Sequence, residues 1–392
     1  MSNSRSLSQS QSETQSEFQT ESHNPALSAE LLFRPYALTG TLTLQSRLVM
    51  PAMARGFSPG GVPGPDVAAY YRRRAESGVG LIITEGAVID HPSAVSETSV
   101  PAMYGEAALD GWAEVVRQVH EAGGRIFPQL WHMGMARPAG SQPHPEAPSI
   151  GPSGLDLSGS PAGEPMTEAQ IEDVVRSYAR AAAEAKRIGF DGVELQGAHG
   201  YLIDQFLWER TNKRTDRYGG DLTARARFAV DVIQAIRAET GPDFPIAIRL
   251  SQWKQSDYTA RPWQTPEELG EFLNLLAEAG VDLFHCSTRR FHEPEFEGST
   301  LNLAGWAKKL TGKPVVTVGS VGLDNEFLNA YQGRGAGSVG LDELLQRLEN
   351  GEFDLVAVGR ALLADPEWPR KIREGRKDEL KAFDPAALGE LY

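Results

Sequence analysis

Thiols are almost absent from this sequence, because Cys286 is the only cysteine among its 392 residues. A single thiol cannot close a disulfide within the chain, and by itself it cannot hold a cysteine-rich zinc site or an iron–sulfur cluster. The neighbouring histidines His285 and His292 do not complete a metal-binding spacing, so no metal site is predicted. We interpret Cys286 as a small buried apolar side chain rather than a nucleophile.

Positive charge is also in short supply. The chain has 38 Lys and Arg residues against 52 Asp and Glu residues, which leaves a formal net charge of −14. This balance argues against nucleic acid or an anionic membrane as the partner, but it does not exclude a local basic pocket for an anionic small molecule. The sequence contains no apolar run long enough for a transmembrane helix.

Large apolar side chains are scarce in residues 1–28, which consist mainly of Ser, Gln, Glu and Thr. Such a segment buries too little surface to offset its ordering entropy, so we predict a disordered low-complexity tail. It has neither the apolar stretch of a signal peptide nor the acid-poor composition of a transit peptide, and we therefore expect a cytoplasmic protein. Residues 29–392 are predicted to form one domain.

The rest of the chain repeats one pattern, in which an amphipathic segment is followed by a glycine and then by a short apolar segment. Glycine suits a helix C-terminus because it accepts the left-handed conformation that closes the last turn. Short apolar segments are typical of strands that are buried on both faces of a parallel sheet. Eight strands are predicted: 48–50, 81–85, 126–130, 193–195, 246–250, 283–287, 315–318 and 355–358.

Helix starts support this phasing, since Thr167 and Thr265 each begin a capping-box sequence. Eight strands that alternate with helices form either a closed barrel or an open, doubly wound sheet. No G-x-G-x-x-G motif follows the first strand, which argues against a dinucleotide-binding open sheet. We predict an α/β fold, a single (β/α)8 TIM barrel, with the long loops 131–165 and 251–264 at its C-terminal face.

Polar residues and glycines stand where the predicted strands end. Arg249 lies inside an otherwise apolar strand, and a buried guanidinium is costly unless it meets a carboxylate or an electron-rich ligand. Glycines and an arginine follow the last two strands, as in the phosphate site that many barrels share. We therefore expect a phosphate-bearing ligand across the barrel mouth. The predicted phosphate-site residues are Gly319, Ser320, Gly359 and Arg360.

Several segments resemble a known family. Residues 196–206 (QGAHGYLIDQF) and 212–220 (NKRTDRYGG) closely resemble the signature of the old yellow enzymes. Shorter matches at 129–131 (QLW), 248–251 (IRLS) and 359–360 (GR) lie in the family's order. The resemblance implies an FMN-binding barrel over residues 29–392. It also implies an oxidoreductase that takes hydride from NAD(P)H and reduces the C=C bond of α,β-unsaturated carbonyl compounds or related activated alkenes.

By this resemblance, FMN is held non-covalently at the strand ends. Gln129 is expected to bind the pyrimidine edge of the flavin, and Arg249 is expected near its N1–C2=O end, where a cation stabilises the reduced form. The backbone at Gly86 would face flavin O4, and the phosphate-site residues would hold the FMN phosphate. Four further cofactor-binding residues follow the first strand: Pro51, Ala52, Met53 and Ala54.

Three residues match the family's catalytic positions. Gln196 and His199 stand where relatives place a His/Asn or His/His pair, which donates hydrogen bonds to the substrate carbonyl. Tyr201 matches the phenol that delivers a proton to the α-carbon. Three aromatic residues on loops above them either line the substrate pocket or pack within the loops: Trp131, Trp253 and Phe291.

Two departures from the family pattern bear on activity. Gln196 replaces the usual first histidine, and its amide still donates but is neutral at every pH and longer than imidazole. Ala54 stands where relatives commonly carry Thr or Cys near flavin O4, and the loss of that hydrogen bond should make the flavin harder to reduce. We therefore expect slow turnover or an unusual substrate preference.

Other functions stay open at this point. A flavin-free (β/α)8 lyase or isomerase that acts on a phosphorylated small molecule explains Arg360 but not Gln129 and Arg249. Flavin enzymes for oxidative demethylation or dienoyl-thioester reduction often carry cysteine-bound clusters, which one cysteine cannot hold. Because Gln196 weakens the catalytic pattern, a non-catalytic flavin-binding protein is a third alternative. We expect a monomer or a homodimer.

Overall fold

The computed structural model describes residues 28–392, apart from the side chain of Tyr331. The predicted disordered tail, residues 1–28, lies outside the described residues except for its last member. Ser28 caps a short 3-10 helix, Ala29–Phe33, by accepting a hydrogen bond from the backbone N–H of Glu30. The first described helical turn therefore begins at the end of the low-complexity segment.

Eight parallel strands close into a barrel, in which each strand pairs with its neighbours along the chain and the last strand pairs with the first. In the closing pair, Val356 lies beside Leu48 and Ala357 lies beside Val49. The predicted TIM barrel is confirmed, and every strand begins within one residue of its predicted start. The strands β1 to β8 are Leu48–Met50, Leu81–Val88, Arg125–Trp131, Val193–Gln196, Ile246–Leu250, Leu283–Ser287, Val315–Val318 and Leu355–Ala357.

Helices follow each strand and cover the outside of the barrel. Two of them, α4 and α8, are extra short helices within the connections after β4 and β7. The helices α1 to α11 are Pro65–Glu76, Glu106–Glu121, Glu168–Arg187, Leu202–Leu207, Leu222–Thr240, Pro266–Ala279, Leu303–Thr311, Phe327–Tyr331, Asp342–Glu349, Arg360–Ala364 and Trp368–Arg373. None of the helices described between residues 28 and 392 is long and apolar enough to cross a membrane.

The two predicted capping boxes differ in detail. At the start of α3, the Thr167 side chain accepts from Gln170 N and the Gln170 side chain accepts from Thr167 N, so both halves of the box are present. At the start of α6, Thr265 accepts from Glu268 N, but the Glu268 carboxylate accepts from Gln264 N. Helix α6 is therefore capped by the Thr265 side chain alone, and Glu268 bonds to the residue before Thr265.

In the repeated pattern, one glycine precedes each of the strands β2 to β8, which makes seven glycines. Six of these seven have the positive φ that was predicted. The exception follows α2, where Gly123 has a φ of 82° and Gly124 does not adopt a positive φ. Gly124 is instead needed for space, because a Cβ there would lie 2.8 Å from the Cβ of Ala75. The six confirmed positions are Gly78, Gly189, Gly241, Gly280, Gly312 and Gly351.

The hydrophobic core has two layers. A large layer lies between the strands and the helices, and a smaller one fills the lower part of the barrel interior around Phe127. A short antiparallel hairpin, residues 36–44, closes the N-terminal opening by inserting Leu38, Leu42 and Leu44 into the smaller layer. The interior is thereby sealed at one end and open at the other.

We expect the substitution Gly192→Ala to test the packing of this interior. A Cβ at Gly192, just before β4, would lie 2.6 Å from Phe127 Cζ and 2.8 Å from Pro245 O. Overpacking of this kind should lower the free energy of unfolding by about 1–3 kcal/mol in denaturant titrations. The control is Gly40→Ala, where nothing lies within 4 Å. Equal stability of the two variants would contradict the prediction.

Candidate active site

A cavity of about 430 Å³ opens at the carboxyl ends of the barrel strands. The sequence predicted seventeen site residues. Sixteen of them line this cavity, and Phe291 does not. A second cavity of about 580 Å³ lies outside the barrel beside α5, and it contains none of them. The charged rim of this outer cavity, which includes Glu209 and Lys213, is typical of a solvated surface.

Of the two alternatives left open for Phe291, the structure shows packing and not a place in the cavity lining. Its side chain is 9% exposed and belongs to the hydrophobic core, with its ring edge-on to that of His292. In the loop backbone, the N–H of Phe291 donates to Gly319 O. Thr288 and Arg289 of the same loop line the cavity instead.

Below the cavity, the barrel interior holds a buried polar network. Gln129 Nε2 donates to Glu194 Oε1 at 2.8 Å, and Glu194 Oε2 is 2.7 Å from His285 Nδ1. Glu194 and His285 are fully buried, and Gln129 is 3% exposed. One N–H of the Gln129 amide is held from below, so its carbonyl oxygen and its second N–H are left for a ligand at the cavity floor.

Arg249 stands at the cavity floor without a salt bridge to any described residue. Its Nη1 donates to Ala52 O at 3.0 Å, its Nη2 lies 3.5 Å from Ser287 Oγ, and its Nε is buried without a hydrogen-bond partner. Burial lowers the pKa of Arg249, while nearby Glu194 and Tyr201 act to raise it. A buried cation with an unused donor is suited to an electron-rich ligand that carries negative charge.

The predicted phosphate site is assembled from the ends of β7 and β8. Arg360 Nη1 donates to Glu326 O at 3.0 Å, and Nη2 donates to Ser320 Oγ at 3.2 Å and to Asn325 O. These bonds hold the guanidinium beside Gly319 and Ser320. Burial lowers the pKa of Arg360 to about 10, which leaves the guanidinium charged at neutral pH. The cluster therefore presents a fixed cation beside backbone N–H groups.

The segment after β1 is held by a residue that the sequence reasoning did not assign. Glu85, which is buried within β2, accepts hydrogen bonds from Arg55 N and Gly56 N, both at 2.9 Å, through the same oxygen. Burial raises the pKa of this carboxyl group. These bonds fix the turn that presents residues 51–54 to the cavity. The sequence did carry a signal for this residue, because Glu85 is the acidic end of the otherwise uncharged predicted strand 81–85.

The three predicted catalytic residues face one cavity wall. Gln196 Oε1 accepts from Ala198 N at 3.3 Å, so the amide NH₂ is the part of the side chain that is left to donate to a ligand. His199 Nε2 lies 2.9 Å from Ser287 Oγ, and its ring stacks on Trp253 with centroids 4.3 Å apart. The ring of Tyr201 packs edge-on to Trp131 at 5.1 Å, and both of these rings line the cavity.

Ser287 is a further site residue that sequence reasoning missed. Its hydroxyl contacts both His199 and Arg249, and its carbonyl accepts from Trp253 Nε1 at 3.1 Å. Ser287 is the last residue of β6. A polar side chain at the end of a barrel strand is a feature that could have predicted it. It links the predicted catalytic histidine with the predicted flavin-binding arginine.

A family model described as the NADH:flavin oxidoreductase / NADH oxidase family matches residues 31–379. The chain belongs to this family. The resemblance to the old yellow enzymes is thereby confirmed. The family holds FMN non-covalently and takes hydride from NAD(P)H, so the chain is an oxidoreductase with FMN as its cofactor. A flavin-free lyase or isomerase no longer accounts for the chain.

Individual relatives agree with the family assignment. An NADH oxidase of Thermoanaerobacter brockii is 36% identical over 361 residues, which are 89% of this chain and 52% of the relative, so the chain spans about half of its length. A putative 12-oxophytodienoate reductase 2 of Oryza sativa subsp. japonica is 35% identical over 358 residues, 89% of each chain. The solved structure of morphinone reductase in complex with tetrahydroNAD has a TM-score of 0.75 at 29% identity, and the match covers 91% of this chain and 93% of that one.

The cavity residues fit the cofactor. The unused Arg249 Nε and the carbonyl of Gln129 are polar groups at the floor that a flavin ring system would satisfy. The Arg360 cluster supplies the charge that the phosphate needs. Gly359 keeps the cavity wall free of a side chain at a point where a Cβ would lie 3.5 Å from Met53 Sδ.

We expect Ala54→Thr to raise the midpoint potential of the bound flavin. Ala54 is an exposed residue on the cavity wall, and a hydroxyl there would add one hydrogen bond to the cofactor. If this bond is stronger to reduced than to oxidised flavin by about 1–1.5 kcal/mol, the potential of the two-electron couple rises by about 20–30 mV. Potentiometry with a reference dye measures the change. Ala54→Val is the matched control, and an equal rise in that variant would contradict a hydrogen-bond effect.

The pH dependence of the free energy of unfolding should show that the fold keeps His199 neutral. Burial, followed by the positive charges of Arg249 and Lys254, lowers the pKa of His199 well below its usual range. The unfolded chain binds a proton at this histidine near pH 6.5, whereas the folded chain does not. The free energy of unfolding should therefore fall as the pH drops below about 6.5, by up to about 1.4 kcal/mol per pH unit from this residue.

His199→Asn removes this titration and keeps a neutral donor. In urea titrations at pH 7, 6 and 5, the wild type should lose more stability than the variant. Above pH 7 the two curves should run parallel, because both states of the wild type then carry a neutral imidazole. Parallel curves over the whole range would show that His199 is not held neutral by the fold.

Proposed function

We propose that the protein is an ene-reductase, which takes hydride from NAD(P)H and reduces the C=C bond of α,β-unsaturated carbonyl compounds or related activated alkenes. The observation that carries the proposal is the grouping of Gln196, His199 and Tyr201 on one wall of the cavity, above Gln129 and Arg249. Two hydrogen-bond donors and one acidic hydroxyl are the groups that polarise an enone and complete its reduction.

Gln196 and His199 would bind the carbonyl oxygen of the substrate. The orientation of the Gln196 amide directs NH₂ away from Ala198, and the neutral imidazole of His199 can donate one N–H. Hydrogen bonds to this oxygen withdraw electrons from the conjugated alkene and make its β-carbon electrophilic.

Tyr201 would deliver the proton to the α-carbon. It is the N-cap of α4, and its hydroxyl lies 3.5 Å from Gln255 Oε1. The edge contact with Trp131 restricts the tilt of the ring, so the hydroxyl is presented from a fixed direction. Bound FMN supplies the hydride that reaches the β-carbon. Trp131 and Trp253 cover this part of the cavity with apolar surface, which excludes water from the reacting atoms.

Relatives lend support, since reductase names recur among them. A putative 12-oxophytodienoate reductase is 35% identical to this chain, and a solved morphinone reductase shares its fold at 29% identity. These names describe those proteins. They make an unsaturated carbonyl compound the first substrate class to test here.

An anaerobic half-reaction experiment tests the proposal. Holoenzyme is mixed with NADPH or NADH, and the flavin absorbance is followed. Cyclohex-2-enone is then added, and the product is identified by mass spectrometry. Bleaching by the coenzyme and recovery of absorbance with formation of cyclohexanone support an ene-reductase. If the coenzyme does not bleach the flavin, a flavin-binding protein without this activity is favoured, and if only dioxygen restores the absorbance, an oxidase is favoured.

Gln196→His should raise activity on simple enones. An imidazole at this position is shorter than the glutamine side chain and donates from a rigid ring. If it stabilises the developing oxyanion by about 1–1.4 kcal/mol, kcat/KM for cyclohex-2-enone should rise about five- to tenfold. Gln196→Leu, which removes the donor, should lower it. A lower kcat/KM in the histidine variant would show that the amide is the better donor in this cavity.

A further inference from the structure

A buried ion pair lies beside the proposed catalytic residues, and the proposed chemistry does not use it. Lys254 Nζ is 2.6 Å from Asp204 Oδ1, and the two side chains are 0% and 1% exposed. Asp204 Oδ2 accepts from Gly200 N at 2.8 Å, and Lys254 Nζ also donates to Ser251 O at 3.1 Å. The pair therefore ties the turn before α4 to the segment that follows β5.

Stability alone is a weak explanation for this pair. The cost of desolvating two charges largely cancels their attraction, and apolar side chains of similar volume are often equally stable. What the pair adds is a fixed distance and direction between two segments. Each charged group has a hydrogen-bond partner on its own segment, Gly200 for Asp204 and Ser251 for Lys254. A shift of either segment would break a buried, charge-assisted bond.

His199 depends on the segment after β5 for its conformation. Its φ is 67°, in the left-handed region that residues other than glycine seldom adopt. Its N–H donates to Ser251 Oγ at 3.0 Å, and its carbonyl accepts from Gln255 N at 3.2 Å. Its ring stacks on Trp253. Such a backbone persists only where its surroundings fix it, and here residues 251–255 do so.

The backbone beside Tyr201 is held by Asp204, the acidic member of the pair. Tyr201 follows Gly200, whose N–H is bound by Asp204, and its own carbonyl accepts from Gln205 N at 2.8 Å. Asp204 therefore fixes the residue that lies between the two catalytic side chains. Lys254 fixes the segment that holds His199, because its Nζ bonds to both Asp204 and Ser251 O and its backbone lies in a parallel bridge with His199.

We propose that Asp204 and Lys254 are a positioning pair, which sets the placement of His199 and Tyr201 over the flavin. The proposal rests on the proposed function, since it assigns a task to residues that bind and protonate the alkene. Neither residue of the pair lines the cavity. Its loss leaves the barrel intact and allows the two segments to move apart. A displacement of about 1 Å at reacting groups costs on the order of 10²-fold in rate.

Lys254→Met tests the proposal through two reoxidation reactions of NADPH-reduced holoenzyme, measured anaerobically by stopped flow. Reoxidation by cyclohex-2-enone needs a bound carbonyl and a proton from Tyr201. Reoxidation by ferricyanide needs neither, because this acceptor takes electrons without a protein proton donor. We expect the enone rate to fall about 10²-fold while the ferricyanide rate and the FMN content stay at wild-type values. An unchanged ratio of the two rates would overturn the proposal.

Lys371→Met is the matched control. Lys371 and Asp365 form another buried ion pair, 2.8 Å long with side chains 7% and 1% exposed, at the C-terminal helix α11. This substitution also leaves a buried carboxylate without its lysine, but it touches no residue of the cavity. The ratio of the two rates should stay at the wild-type value. An equal loss of enone reactivity in this variant would show that any buried ion pair has the same effect.

Two further variants separate positioning from folding. The double variant Asp204→Asn, Lys254→Met carries no unpaired buried charge, and the amide oxygen of the introduced asparagine can still accept from Gly200 N. This double variant should have the melting temperature of the wild type, but its rate of reoxidation by the enone should stay low. Lys254→Arg keeps the charge and should recover part of the enone rate. Recovery of both properties in the double variant would assign the pair to stability alone.

A crystal structure of Lys254→Met or of the double variant gives an answer that does not depend on activity. We expect His199 to leave its positive φ and its stacking on Trp253. If wild-type holoenzyme is not reoxidised by the enone, the proposed function fails, and the structure still tests the pair. A His199 conformation identical to that of the wild type would overturn the proposal.

Discussion

Closure of eight parallel strands is the constraint on which the rest of the structure depends. In a closed parallel barrel every strand runs in the same direction, so all eight carboxyl ends meet in one ring. The hairpin at residues 36–44 seals the opposite end with apolar side chains. Polar residues at strand ends that are distant in sequence, such as Gln129, Arg249 and Arg360, are thereby brought to one cavity. Each strand needs to contribute only one or two residues to build the site.

The charge of the site opposes the charge of the chain. The protein carries a net charge of −14, yet the described cavity holds Arg249 without a salt bridge and Arg360 bonded only to oxygen atoms of neutral groups. Arg249 is buried and Arg360 is half-buried. An electrostatic interaction with an anion is stronger where water is excluded. His199 and Gln196 add neutral donors on the wall above. The site can therefore stabilise negative charge on a flavin, on its phosphate and on a substrate oxygen.

Barrel strands and loops divide the task of building the site. The strands place the predicted cofactor-binding residues Gln129 and Arg249, because their interior positions are set by the register of the sheet. The loops after β4 and β5 set the orientation of His199 and Tyr201 through hydrogen bonds between the two loops. A strained backbone at His199 is the cost of this arrangement, and the buried pair of Asp204 and Lys254 joins the two loops at that point. Rigid strands and cross-linked loops together give a defined geometry.

Much of this protein could be predicted from sequence. The eight strands, the capping threonines and the strand-end residues follow from local periodicity, and closure of the barrel then requires those residues to share one face. The family signature added the assignment of FMN. Side-chain direction beyond a strand end was not predictable, as shown by Phe291, which turns into the core, and by Ser287, which faces His199.

The sequence by itself determined the order of the elements, the closed barrel and the set of residues at its mouth. Only the tertiary structure decided which loop residues reach the cavity and which of them pair. Asp204 lies in the short helix α4, and Lys254 lies 50 positions away in the irregular loop after β5. The loop has neither a helical nor a strand period, so no local pattern encodes their contact. Their distance depends on backbone angles that are fixed only when the loops pack together above the barrel.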